Sequence, residues 1–492
     1  MRARSNQFKF LHKLHHMSIA KRIAKNTGVL VIGDTLKSLL YFILVIYMAR
    51  ILGAAEFGKY SFAVNFTLLA GIIPDMGLNY LYIRDVSRDR SKAKKYMSNF
   101  ISIKILLSTI TFTLIVLAIN LLGYPQDTTF AVYGMAVYMI LTSFFELFRS
   151  SFYAFEKMEY DAAVKITERV LLFSAGMYVL LAGYGLMGII SISMLAAAVA
   201  FIMSFIFMLW RFVRPVLSLD FEFCRKSIKT AFPFGVAVIF SLIYFGIDSV
   251  MLMIMAGDRP VGIYNAAYNL ILGITIIPTA FTAAIYPLLS RYFKTSRNSL
   301  RALHGKAMKY LVMLAIPIGF IITLTAPKII DFLYGSEYAS SALALQLLVW
   351  GGAAWFISMG VNASLRAVDR QKTLAWIAGT GAALNVSLNI FLIPTFGYIG
   401  AGIATTITQF FVLFAGLKKL SSTLPLPSMR GTITKSVISS MAVLLILQYL
   451  MGLHVLLLAV AALVYFPIIF ILRGFDRDDF GLLKQIFSSG QK

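Results

Sequence analysis

The sequence predicts an all-α polytopic membrane protein with fourteen transmembrane helices: two six-helix lobes followed by two C-terminal helices. Three observations predict it: an apolar composition, apolar runs of membrane-spanning length, and connecting segments whose basic charge alternates. Apolar residues make up 59% of the 492-residue chain and charged residues only 13%. Soluble chains carry about half and about a quarter. With a mean hydropathy of +0.81, lipid is the main solvent of this chain, which excludes a cytosolic enzyme, a disulfide scaffold and a disordered regulator. The single cysteine, Cys224, cannot form an intrachain disulfide.

Runs of about 20 apolar residues cross roughly 30 Å of hydrocarbon as helices, which satisfy their own backbone polar groups. Their cores lie near 27–49, 58–81, 99–122, 130–154, 162–183, 186–210, 231–255, 262–289, 307–326, 341–365, 373–393, 398–417, 433–452 and 454–472. An even number of spans keeps both termini on one side.

The connections fix which side. Segment 1–26 carries seven Lys and Arg, 82–98 six, 211–229 five and 290–309 six, whereas 123–129, 183–186 and 394–398 carry none. The positive-inside rule puts both termini in the cytoplasm, beneath the plasma membrane. The net charge of +24 therefore reports topology and attraction to anionic lipid, not nucleic acid. Residues 1–26 read as a basic cytoplasmic arm, because they lack the long apolar region and cleavage site of a signal peptide.

The chain repeats itself at an offset of 204. FGKYSFAVNFTLLAGIIPD (57–75) aligns without gaps on VGIYNAAYNLILGITIIPT (261–279). Chance similarity between apolar segments matches Leu, Ile and Val; here Gly53/Gly257, Gly58/Gly262, Tyr60/Tyr264, Asn65/Asn269 and Pro74/Pro278 hold register. Six spans separate the copies, so both have the same orientation and the axis relating them lies along the membrane normal. The division that follows is an N-lobe at 27–215, a linker at 216–230, a C-lobe at 231–420, two further spans in 421–473 and a cytoplasmic tail at 474–492.

The stretches MARILGAAEFGKYSFA (48–63), PDMGLNYLYIRDVSR (74–88) and NVSLNIFLIPTFGYIGAGIATTITQF (385–410) resemble the polysaccharide-transporter branch of the multidrug/oligosaccharidyl-lipid/polysaccharide flippase superfamily. The resemblance implies a flippase and not an enzyme. Its cargo would be a polyprenyl-pyrophosphate-linked saccharide, moved from the cytoplasmic to the outer leaflet by alternating access, for cell-surface polysaccharide synthesis. It also implies a monomer in the bilayer that meets glycosyltransferases or a polymerase of the same pathway. The alternatives within the superfamily are a cation-coupled multidrug exporter and a lipid II-type flippase.

An ionisable group at membrane depth is costly unless it faces a cavity or a partner, so each is a candidate. In span 1, Asp34 and Lys37 share a helix face with Ser38 and Tyr41; Lys37 would meet pyrophosphate, or the two would form a structural pair. Lys165, Glu168 and Arg169 share a face of span 5, and Glu146 and Arg149 one of span 4. They either receive the head group or snorkel to the interface. Asp248 stands in span 7 without a basic neighbour one turn away, and its repeat counterpart is Leu44. It is the candidate for coupling to protons or Na⁺, with hydrogen bonding to Tyr244 as the alternative.

Pro74 and Pro278 break spans 2 and 8, as hinges or as plain kinks. Asn65 and Asn269, with Asn265, Gln346, Asn362, Asn385 and Asn389, bind sugar hydroxyls or join helices; Trp350, Trp355 and Trp376 stack on sugar or sit in an interfacial belt. Arg50 reads as an interface anchor. His12, His15 and His16 lack the companions of a metal site, and no Walker A motif occurs, so neither a metal nor a cofactor is expected.

Overall fold

The computed structural model describes the backbone of residues 2–449 and 456–472, and side chains of 36–232, 240, 242–446 and 464–472. All regular elements among them are helical: α1 Arg2–Ala70, α2 Ile72–Asp75, α3 Leu78–Arg88, α4 Ala93–Leu121, α5 Gln126–Ala154, α6 Met158–Leu181, α7 Gly185–Arg211, α8 Phe221–Ala256, α9 Asp258–Ile274, α10 Ile276–Thr295, α11 Arg297–Tyr334, α12 Ser341–Ala367, α13 Gln371–Phe396, α14 Tyr398–Ser421, α15 Arg430–Tyr449 and α16 Leu456–Ile471.

Nine stretches among the described residues are long and apolar enough to cross a membrane, fewer than the fourteen runs counted in the sequence. Part of the difference has physical causes, and part falls on residues outside those described. Leu36–Asp75 contains two arms that meet at Gly53, while α6 has the length but carries Asp161, Lys165, Glu168 and Arg169 in its first half. The seventh run, of which Leu242–Ala256 is described without interruption, and the last two runs lie partly outside the described residues. The chain is a multi-pass membrane protein.

Gly53 turns α1 back on itself with φ 78° and ψ 170°, and Gly257 does the same between α8 and α9 with φ 88° and ψ −175°. Only glycine enters this region cheaply. The folding back brings Tyr60 against Tyr41 in the first copy and Tyr264 against Asp248 in the second. The register of the repeat extends to the next break: the helix is interrupted at Gly71 in one copy and at Thr275 in the other, 204 positions on. Pro74 and Pro278 are the third residues of the helices that follow, where the missing N–H costs nothing. A second interruption, at Met76 (φ 40°) and Gly77 (φ 81°), occurs in the first copy alone.

The apolar cores show how the halves meet. At the end of the molecule that holds Gly53 and Gly257, one core joins them, with Met48, Phe57 and Ile189 of the first packed with Leu252, Tyr264 and Leu348 of the second. At the basic end the cores are separate, one around Tyr82, Phe100 and Phe148 and the other around Leu289, Leu303 and Leu365. Residues 216–230, expected as a linker, are stitched to α4: Asn99 Oδ1 accepts from the Asp220 N–H at 2.7 Å, Ser98 Oγ accepts from the Val216 N–H at 3.0 Å, and Phe223 meets Tyr96 at 4.9 Å between ring centroids.

Candidate functional site

A large cavity lies in the first half, between the two arms of the broken second span and α5. It encloses about 810 Å³, lined among others by Thr67, Asn79, Tyr80, Tyr138, Ser143, Glu146, Arg149 and Tyr153, with Leu242 from the second half. The helix breaks at Gly71 and at Met76–Gly77 shape this wall and turn Asp75 into the cavity lining.

Charged side chains gather at its wall and beside it. Arg149 of α5 is buried and reaches both Glu146, one turn earlier on its own helix, and Asp161 of α6. Asp161 also holds Lys165 at 3.1 Å and accepts from the Tyr153 hydroxyl at 3.0 Å. One further turn along α6, Glu168 is buried and Arg169 lies beside it, its guanidinium 4.8 Å from the centre of the Tyr41 ring. Lys37 is within electrostatic reach of Arg169, Glu168, Arg149 and Glu146. The sequence therefore named members of a single cluster that joins three helices.

Asp161 and Tyr153 were missed, although Asp161 stands four residues before Lys165. The pair of Asp75 with Lys104 was missed as well: Lys104 is fully buried, its Nζ 3.7 Å from Asp75. Lys104 was legible as an intraspan cation, but its partner depends on the break after Asp75. Asp34 belongs to side chains outside the described residues.

The amides divide. Asn65 donates to the Ser61 carbonyl at 2.8 Å and faces Gly246 across the halves; Asn269 lines a second cavity of about 460 Å³ with Ser38, Tyr41 and Thr279. Asn265 and Gln346 join helices, through Ser249 at 3.0 Å and the Thr323 carbonyl at 2.9 Å.

In the second half Asp248 is 2% exposed, and among the described residues its carboxylate meets neutral donors only. Tyr264 donates at 2.8 Å, Thr405 at 2.6 Å and the Asn389 amide at 2.5 Å. The hydrogen bond expected from Tyr244 comes instead from Tyr264, because the turn at Gly257 lays α9 alongside α8. Asn389 Nδ2 also reaches Asn385 Oδ1 at 3.1 Å, while Asn389 Oδ1 is buried without a partner.

The end opposite the basic one is latched. Glu337 accepts from the Ala54 N–H at 2.8 Å, the Tyr338 hydroxyl donates to the Ala49 carbonyl at 2.8 Å, and Arg50, expected as an interface anchor, donates to the Phe332 carbonyl at 3.2 Å.

Comparison with known proteins agrees with this architecture. Residues 23–293 match the family model described as Polysaccharide biosynthesis protein, and residues 233–391 match the MatE model. The probable low-salt glycan biosynthesis flippase Agl15 of Haloferax volcanii is 23% identical over 391 residues, covering 78% of this chain and 81% of that protein. The putative O-antigen transporter of Shigella flexneri is 23% identical over 389 residues, with 73% and 88% covered. Among solved structures, the lipid II flippase MurJ in an inward closed conformation superposes with a TM-score of 0.75 at 16% identity, covering 90% of this chain and 97% of that one. An inward-facing MATE-family multidrug resistance transporter gives 0.60 at 16% identity, covering 78% and 95%. The chain belongs to the Polysaccharide biosynthesis protein family, within the polysaccharide flippase branch of the multidrug/oligosaccharidyl-lipid/polysaccharide superfamily.

Proposed function

We propose that this protein carries a polyprenyl-pyrophosphate-linked saccharide from the cytoplasmic to the outer leaflet by alternating access. One observation carries the reading: a cluster of five cations, Lys37, Lys104, Arg149, Lys165 and Arg169, and four carboxylates, Asp75, Glu146, Asp161 and Glu168, that reaches the 810 Å³ cavity through Asp75, Glu146 and Arg149 in its wall. Bringing these charges into hydrocarbon costs several kcal/mol. A pyrophosphate is the ligand that an excess of cation favours, and pairing with carboxylates lets the cations wait for it without being left bare.

The basic end is the cytoplasmic end in this scheme. The head group enters there while the latch around Glu337 holds the outer end shut, and the polyprenyl tail stays in lipid. Two six-helix lobes, related by a pseudo-two-fold axis along the membrane normal, then rock so that the closed end opens. The paired turns at Gly53 and Gly257 support that symmetry, and Gly71, Pro74, Thr275 and Pro278 are the hinge positions. Asp248 binds the coupling ion, a proton or Na⁺: its neutral oxygen-rich surroundings suit a hard cation.

Reconstitution with a fluorescent lipid-linked saccharide and a leaflet-accessibility assay tests the reading. Lys37→Gln and Arg169→Gln are expected to lose at least tenfold in flipping rate while remaining inserted; unchanged flipping in both removes the pyrophosphate assignment. The rival drug exporter draws on Asp75 and Glu146 in the cavity wall. A cationic drug whose export depends on these carboxylates, with no flipping of the lipid-linked saccharide, would favour it.

A further inference from the structure

The second half holds a cavity that the reading above leaves unused. It encloses about 350 Å³ between α8, α12, α13 and α14, within the roughly 300–1,000 Å³ of small-molecule sites. Trp355 and Phe245 line it, their rings tilted against each other with centroids 5.0 Å apart. The Phe245 ring restrains the indole, so a flat aromatic surface is in place before any ligand arrives.

Polar groups complete the wall. Asn362, Gln371, Gln409 and Tyr244 line the same space. Gln409 is 3% exposed and its Oε1 has no hydrogen-bond partner; the Tyr244 hydroxyl is likewise buried and unpartnered. A buried polar atom left unpaired is destabilising, so two in one wall mark where a ligand with hydroxyl groups would be held. Among the described residues no carboxylate lines the cavity, and Arg366, at its basic end, is the single formal charge in the lining.

We propose that this cavity binds a sugar ring of the translocated saccharide, with Trp355 against the apolar face of the ring and Gln409, Tyr244 and Asn362 on its hydroxyl rim. The proposal rests on the lipid-linked saccharide reading and adds where the saccharide sits. The chemistry is specific to that class. A pyranose offers a C–H face that an aromatic ring covers, as well as hydroxyls that both donate and accept, and amides can answer in either sense. The same wall offers a bare pyrophosphate only Arg366, and an aromatic surface is of no use to a small cation. The division of labour follows: charge in the first half for the pyrophosphate, neutral amides and aromatics in the second for the sugar.

The cavity also adjoins the Asp248 cluster, since Tyr244 lies one turn before Asp248 on α8 and Gln409 one turn after Thr405 on α14. An ion path to Asp248 is therefore the competing use of the space, and the test separates the two.

Thermal unfolding of the full chain in nanodiscs, with a panel of neutral methyl hexosides and methyl N-acetylhexosaminides, is the experiment; inorganic pyrophosphate serves as the probe of the charged cluster. At least one glycoside is expected to raise the unfolding temperature, with its apparent affinity reduced about tenfold in Asn362→Ala, the change expected for one lost hydrogen bond of about 1.4 kcal/mol, and with its effect abolished in Trp355→Ala and restored in Trp355→Phe. The response to pyrophosphate should be the same in all three variants. Glycosides without effect on the wild type, or with an undiminished effect on Trp355→Ala, overturn the sugar site. If pyrophosphate still binds in that case, the lipid-linked reading survives; if pyrophosphate fails while glycosides bind, that reading falls and the sugar site stands. Gln409→Leu that alters stabilisation by Na⁺ or by pH, with glycoside affinity intact, assigns the cavity to the ion.

Discussion

A Cβ placed on Gly58 would lie 1.9 Å from the carbonyl oxygen of Asp258, and the counterpart contact is as close: a Cβ on Gly262 would lie 1.9 Å from the carbonyl oxygen of Ala54. Gly262 stands 204 residues after Gly58 and Asp258 204 after Ala54. Each copy of the repeat thus presses its glycine onto the other copy's helix start, backbone to backbone, at the latched end.

Gly58→Ala and Gly262→Ala are each expected to force these helices apart. Nothing at the contact can rotate away, so the cost falls at the upper end of the roughly 1–3 kcal/mol typical of overpacking. Thermal unfolding of the purified variants should show it, together with a loss of flipping. An unshifted unfolding temperature in both would mean that the close approach does not persist in the bilayer.

Glu337 caps the N-terminus of the helical arm that follows Gly53, taking the Ala54 N–H at 2.8 Å. Such caps are worth about 1 kcal/mol. Glu337→Ala combined with Tyr338→Phe is expected to raise labelling of an introduced Asn269→Cys by an impermeant maleimide added from the Glu337 side, several-fold over the unmodified latch. Cys224 will not obscure the signal, because it is 2% exposed and burial raises its thiol above the usual range, leaving less thiolate at neutral pH. Equal labelling with and without the latch would show that the two bonds do not hold this end closed.

Lys104 has Asp75 as its ion-pair partner at 3.7 Å and is fully buried. Removing one member leaves an uncompensated charge, at about 3–5 kcal/mol. Asp75→Asn should therefore yield little monodisperse protein by size-exclusion chromatography, and adding Lys104→Met should restore it. A double variant no better than the single one would break the pairing.

Asp248→Asn keeps the volume and the contacts with Thr405 and Tyr264 but removes the charge. It is expected to fold and to lose any dependence of flipping on a Na⁺ or proton gradient. Gradient-driven flipping at the wild-type rate in this variant would exclude Asp248 from coupling.

The helical class and the 204-residue repeat were legible in the sequence, because hydrocarbon tolerates few backbone solutions and because glycine and proline report backbone geometry directly. Helical spacing placed Glu146 beside Arg149 and Glu168 beside Arg169, since neighbours three or fewer positions apart share a turn. It also isolated Asp248 from any cation on its own helix. What the sequence could not supply were partners from other helices: Asp161 for Arg149, Asp75 for Lys104, and Tyr264, Asn389 and Thr405 for Asp248. Those pairings depend on how the chain turns at Gly53, Met76 and Gly257 and on how the helices then pack, and no local periodicity encodes a distance between helices. The same holds for the closed end, where Gly58 meets Asp258 only after two distant segments have been folded onto each other.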